Sequence, residues 1–204
     1  MNVSYAIPVC NEHKEIEKLL SFLVKHIDED DEIIVQCDQG NTTPEVHKVL
    51  GNFSKIKIIE FPLKGDFASF KNNLKNHCTK EWIFQIDADE LPHKSLITNI
   101  KELLKINPTT EMFLVPRVNI VDGLTQEHIN KWGWKLNEAG WVNWPDYQTR
   151  IIQNSPKIQW TSKVHEVIIG HSGYSTLPQE QEWGLYHKKH IKKQEFQNNL
   201  YNSL

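Results

Sequence analysis

The run Trp82-Ile83-Phe84-Gln85-Ile86-Asp87-Ala88-Asp89-Glu90 ends an apolar strand in three carboxylates. Ionised carboxylates this close repel one another and raise each other's pKa. Such a cluster persists where a divalent cation or a reaction uses it. An Asp-x-Asp tripeptide is by itself a weak signal, because Asp89 or Glu90 could equally cap a helix starting near Pro92. The elements around it decide what the acids are for.

The first half of the chain alternates strand and helix. Val3 to Val9 reads as a buried strand, with Asn11 capping a helix whose Ile16, Leu19, Leu20, Leu23 and Ile27 share one face. Glu32 to Cys37 is a second strand, and Thr43-Pro44 opens a second helix. Lys55 to Phe61 follows as a third strand. Asp66 caps a helix with Phe67, Phe70, Leu74 and Cys78 inward, and Glu81 to Ile86 is the fourth strand ahead of a helix through Leu96, Ile97, Ile100, Leu103 and Leu104. This order predicts a parallel sheet covered by helices on both faces. Ligands of such sheets bind at the carboxyl ends of the strands. Those ends are Pro8-Val9-Cys10-Asn11-Glu12, Asp38-Gln39-Gly40-Asn41, Pro62 to Asp66, and Asp87 to Glu90. They are acidic enough to repel a bare anion but suited to one bridged by a metal.

Beyond residue 110 the pattern changes. Met112 to Val121 is strand-like. Five of the seven tryptophans fall between positions 132 and 160, filling a small second core or forming an apolar platform for an acceptor. Tyr147 to Gln153 and Lys157 to Glu166 read as antiparallel strands turning through Asn154-Ser155-Pro156, and a polar helix is expected from about Lys192. The expected organisation is one domain in two halves, 1–110 and 111–204.

Composition narrows the function classes. A formal charge of -3 gives no pull toward nucleic acid, and no apolar run reaches the ~20 residues needed to span a bilayer. Cys10, Cys37 and Cys78 are scattered and lack zinc-ligand spacing, which suits reduced thiols and a cytoplasmic setting.

The residues at the strand ends carry a resemblance. Ile7-Pro8-Val9-Cys10-Asn11-Glu12, Asp38, Gly65-Asp66-Phe67-Ala68 with Lys71-Asn72, and Asp87-Ala88-Asp89 occur in the order seen in family 2 glycosyltransferases. Trp144-Pro145-Asp146-Tyr147-Gln148-x-Arg150, Trp160 and Val164-His165-Glu166 resemble a subgroup of small bacterial-type members. The resemblance implies a GT-A fold, which is a Rossmann-like, mostly parallel α/β sheet with a small mixed acceptor-side region. It also implies a nucleotide-diphosphate sugar donor, with a UDP-sugar expected first, a Mn2+ or Mg2+ ion, and transfer with inversion. The acceptor is a carbohydrate, a lipid-linked species or a protein.

By the same resemblance, Pro8, Glu12 and Asp38 line the nucleoside pocket, with Gly65 and Lys71 at the third helix and Ala88 between the two aspartates. Lys71 stands where an arginine is common, so the charge is kept and bidentate contact is lost. Asp89 is expected to bind the metal directly, and Asp87 the ribose or a metal-bound water. His187 or His165 completes the metal shell, His187 being favoured. Arg150 approaches the diphosphate or pairs with an acid. The candidates for the base are Asp146 and Glu166. Glu166 follows His165 in the expected strand, so the two side chains face opposite sides, which favours Asp146 as the base when His165 faces the site and leaves Glu166 to orient a loop.

Two rival readings use the same elements. A sugar nucleotidyltransferase should carry a glycine-rich basic loop after the first strand, where this chain has Pro8 to Glu12. A non-catalytic carbohydrate-binding protein would have no use for the acid cluster.

Overall fold

The computed structural model describes residues 1–195. Strands β1 (Val3–Val9), β2 (Glu32–Asp38), β3 (Ile56–Phe61) and β4 (Trp82–Gln85) alternate with helices α1 (His13–His26), α2 (Pro44–Leu50) and α3 (Phe67–Asn76). Then come β5 (Glu90–Pro92), α4 (Lys94–Ile106), β6 (Met112–Asp122), α5 (Gln126–Trp132) and β7 (Val142–Gln153). The chain continues through β8 (Gln159–Thr161), β9 (Val167–Ile169), β10 (Tyr174–Thr176) and β11 (Leu185–His190). One sheet joins both halves of the chain in the order β3-β2-β1-β4-β7-β6-β11-β5, with β10 on β6. The first four strands are parallel, and β7 joins β4 antiparallel.

Strand alternation explains the two cores. Val3, Tyr5, Ile7 and Val9 of β1 face one side, where they meet Ile16, Leu19, Leu20 and Leu23 of α1, with α2 and α4 beside them. Each of these buried helix residues contributes roughly 1.5–3 kcal/mol. Ala6 faces the other side with Ile34 and Ile83, under α3 and under Ile158, Trp160 and Ile168. Helices therefore cover both sheet faces, as the alternating order requires.

Several local expectations change. Glu12, not Asn11, is the residue at the start of α1, and its carboxylate accepts from the backbone N–H groups of Cys10 and Asn11. Neither Asp89 nor Glu90 caps α4. His93 does, its ring nitrogen accepting from Ser95 N, because Glu90–Pro92 forms a short strand on β11. Asp66 caps α3 as expected, accepting from Ser69 N. The polar stretch after β6 holds a helix, α5, with a capping box at Thr125 and His128. β7 pairs with β4 and β6, whereas β8 pairs with β9, so the two segments expected as a hairpin belong to different sheets. His187 to His190 lie in β11, and only 191–195 of the expected terminal helix fall within the described residues, where they are helical.

Candidate active site

A cavity of about 550 Å³ opens at the carboxyl ends of β1, β2 and β4. Pro8, Cys10, Glu12 and Asp38 form one wall, Asp87, Ala88 and Asp89 the floor, and Lys71, His165 and Glu166 line it as well. Six of the residues assigned to the nucleotide and both candidate aspartates for the metal are thus brought together. Gly65 is not on the wall. It occupies a left-handed turn, φ +72°, that reverses the chain into α3.

Asp38 is buried and already holds structure. Its carboxylate accepts from Leu63 N at 2.9 Å and from Asn41 Nδ2 at 3.0 Å, tying the loops after β2 and β3 together. It is therefore both a cavity wall and a loop anchor, which a reading as a pure ligand contact did not anticipate.

Sheet register builds the acid cluster. Past the last β4–β7 pair, Phe84↔Ile151, Arg150 comes alongside the end of β4. Its buried guanidinium pairs with Asp87 and, at 2.7 Å, with Glu90 Oε1. Arg150 thus forms the acid pair, one of the two roles open to it. Glu90 also folds back so that its Oε2 accepts from Asp87 N at 3.2 Å, pinning the Asp87-Ala88-Asp89 turn from behind. Burial opposes the Asp87 charge, and Arg150 and then Lys71 outweigh it, holding the carboxyl below its ordinary range.

The antiparallel pairing of β5 with β11 sets His187 opposite Glu90 and so beside Asp89. His187 Nε2 lies 3.4 Å from Asp89 Oδ2, while its Nδ1 meets Asn119 Oδ1 at 2.9 Å. The second contact fixes the ring so that Nε2 faces the aspartate. Burial again opposes ionisation, but His187 and Lys193 keep Asp89 strongly depressed. Lys193 Nζ sits 3.1 Å from Asp89 Oδ2 and 3.9 Å from Glu12 Oε1.

Among the described residues no group of three or more His, Cys, Asp or Glu side chains converges as a ready metal site. Asp89 and His187 offer one hard oxygen and one imidazole. Such a partial set fits Mg2+ or Mn2+, which take one or two carboxylates and fill the remaining positions with phosphate oxygens and water. His165 is in the cleft wall on a loop, and His187 is in contact with Asp89.

The two candidate bases differ sharply. Asp146 faces Arg117 across the β6–β7 ladder and accepts from Arg117 Nε and Nη2 at 2.9 and 2.6 Å, Asn119 Nδ2 at 2.8 Å and Gln148 Nε2 at 2.8 Å. Burial pushes its pKa up, but Arg117 and these amides pull it below the usual value. Glu166 lines the cavity and pairs with Lys71, whose ammonium lies 4.4 Å from the Trp160 ring centroid. The expected strand through Val164-His165-Glu166 does not form. The residues follow β8 in a loop, and His165 has φ +53°. Strand alternation therefore cannot separate His165 from Glu166, and both line the cleft.

Arg117 and Asn119 were missed from sequence, although their signal was present. They are polar residues two apart inside a strand, Met112–Asp122, that is otherwise apolar up to its last residue, and so share one face. The tryptophans divide: Trp160 is core, Trp132 and Trp134 pack on Val121, Val142 and Ile191, and Trp141 meets Trp144 edge-on with 5.1 Å between ring centroids.

Comparison with known proteins agrees with this architecture. Residues 4–175 match the family described as Glycosyl transferase family 2. The glycosyltransferase SunS of Bacillus subtilis strain 168, prophage-derived, and that of Bacillus phage SPbeta are each 28% identical over 164 residues, 80% of this chain. The chain spans about a third of their length, 34%. Staphylococcus aureus TarS 1-349 superposes with a TM-score of 0.64 in complex with UDP-GlcNAc and 0.66 in another crystal structure. The aligned parts are 93% and 92% of this chain and 59% and 60% of TarS 1-349, at 15% and 14% identity. A sheet that continues from the parallel strands into β7, β6 and β11, and a sequence match running through most of that sheet, have one common explanation: the chain belongs to glycosyl transferase family 2 and has the GT-A fold.

Proposed function

We propose that the cleft transfers a sugar, with inversion, from a nucleoside diphosphate donor, a UDP-sugar in first place, to an acceptor hydroxyl or other nucleophile. The observation that carries the reading is the Asp89–His187 contact at the floor of a cavity whose wall holds Glu12 and Asp38. UDP-GlcNAc and UDP are the ligands in the TarS complexes, and they support the choice of uridine.

Asp38 and Pro8 would hold the nucleoside, and the diphosphate would lie toward Asp89, His187 and Lys71. A divalent ion held by Asp89 and His187 would neutralise the charge that develops on the diphosphate as the sugar–phosphate bond breaks. Asp87, gripped by Arg150, is left to accept from the ribose or from water. Glu166 takes the acceptor proton as the acceptor atom bonds to the anomeric carbon and the nucleoside diphosphate departs. Asp146 is the weaker base, because four donor contacts occupy its oxygens and its affinity for a proton is lowered. An arriving diphosphate would compete with Glu166 for Lys71, leaving the carboxylate available.

Calorimetric titration of UDP with Mn2+ and with chelator tests the reading. Binding should be weak without the ion, and Asp89→Asn should lose the ion-dependent part. Equal affinity with Mn2+ and with chelator in the wild type would overturn the metal assignment.

A further inference from the structure

Lys193 stands where the proposed ion should be. Its ammonium shares Asp89 Oδ2 with His187 Nε2, at 3.1 and 3.4 Å, and also approaches Glu12. The lysine is delivered by an anchored segment. Lys188 to His190 are paired with Ile120 to Asp122 in the sheet, and Ile191 is buried with Val121, Val142, Trp132 and Trp134. From that anchor the Lys193 side chain, one-third exposed, reaches across to the aspartate.

We propose that Lys193 is a built-in competitor for the divalent ion at Asp89, and that the ion releases its ammonium to the donor diphosphate. This inference rests on the metal reading above. An ammonium and a divalent ion drawn to the same carboxylate oxygen repel each other, so the pair in the ion-free protein lowers the fraction competent to bind metal. Glu12, 3.9 Å from the ammonium, is a single carboxylate that could receive it after displacement. A diphosphate bound beside Asp89 offers several oxygens at that place. Ion and nucleotide should then bind cooperatively, the first freeing a cation that the second uses, with Ile191 keeping the segment in reach throughout.

Mn2+ titrations followed by electron paramagnetic resonance, on wild type, Lys193→Gln, Lys193→Arg and Asp89→Asn, read this directly without turnover. Without nucleotide, Lys193→Gln should bind Mn2+ about threefold to tenfold tighter than wild type, the factor by which a modest ion pair depletes the competent state. Lys193→Arg keeps the cation and should stay near wild type. With Mn2+ saturating, Lys193→Gln should bind UDP several-fold more weakly. If wild type shows Asp89-dependent Mn2+ binding and Lys193→Gln binds the ion no more tightly, the competition is refuted while the metal site stands. If neither protein shows Asp89-dependent binding, the metal reading fails and the competition with it.

Discussion

Arg117 clamps Asp146 through two nitrogens on the same carboxylate oxygen, Nε at 2.9 Å and Nη2 at 2.6 Å from Oδ2. The pair is set by register, since the two residues are directly opposed on β6 and β7. A carboxylate so held is an architectural anion that parts with its donors only at a cost.

The first prediction follows for the base. Glu166→Gln should retain UDP affinity and lose transfer by roughly 100-fold or more, the scale of a positioned general base. Asp146→Asn should show its main effect in stability, roughly 1.5 to 3 kcal/mol for a lost charge-assisted contact, with a smaller loss of turnover. Steady-state kinetics with a UDP binding check and urea melts separate the two. A folded Asp146→Asn protein that binds donor and is inactive, beside an active Glu166→Gln, would exchange the roles.

How far the sequence could see is clear from these two acids. Asp38, Asp87 and Asp89 were legible because short apolar strands end visibly, and parallel order places those ends at one edge of the sheet. Lys71 was legible through the family resemblance, in the motif that runs from Gly65 into α3. The placement of Glu166 was not legible, because periodicity suggested a strand where the chain forms a loop with His165 in the left-handed region. The partners Arg117, Asn119 and Lys193 depend on pairings between β6, β7 and β11, which are distant in sequence and set by register. Local patterning carries little information on such pairings. The short β5 was hidden for the same reason: three residues ending in a proline become a strand only because β11 is there to pair with them.

The second prediction concerns Arg150, buried between Asp87 and Glu90. Arg150→Met should destabilise by about 3–5 kcal/mol near neutral pH, because it strips buried Asp87 of its guanidinium partner and leaves Glu90 with only the longer, 3.4 Å contact to Arg117. The sign of the pH dependence is fixed by Asp87, whose folded pKa is depressed. Its stabilisation is present above the unfolded carboxylate pKa and is lost as pH falls through the folded one. In the variant Asp87, without Arg150 to offset its burial, should instead take up a proton readily. The stability gap between wild type and variant should therefore narrow as pH drops below about 5, near the unperturbed carboxylate values. Urea denaturation at several pH values measures it, and a gap that widens toward acid would contradict the assignment.

The third prediction separates the two duties of Asp38. Asp38→Asn keeps an acceptor for Leu63 N but loses the charge, so UDP affinity should fall about tenfold, on the scale of one charge-assisted hydrogen bond, with the fold little changed. Asp38→Ala should add a stability loss of about 1–3 kcal/mol, since Leu63 N–H is left without its acceptor. Calorimetry and thermal melts run on both variants distinguish these. Unchanged UDP affinity in folded Asp38→Asn would remove the residue from the nucleoside wall.

The last prediction uses the cysteines as reporters. All three are free, but Cys37 and Cys78 are buried, with burial pushing their thiols up to about 11 and about 12. Cys10 is partly exposed in the cavity wall, and burial followed by the Glu12 and Asp38 charges raises its pKa too. Only the thiolate reacts, so native alkylation should be slow, accelerate with rising pH, and fall on Cys10 alone. UDP with Mn2+ should protect it, because the nucleoside would cover the wall formed by Pro8, Cys10 and Asp38. Peptide mass mapping after timed iodoacetamide treatment gives the site and the rate. Labelling of Cys10 at the same rate with and without saturating UDP and Mn2+ would place the nucleoside away from this wall.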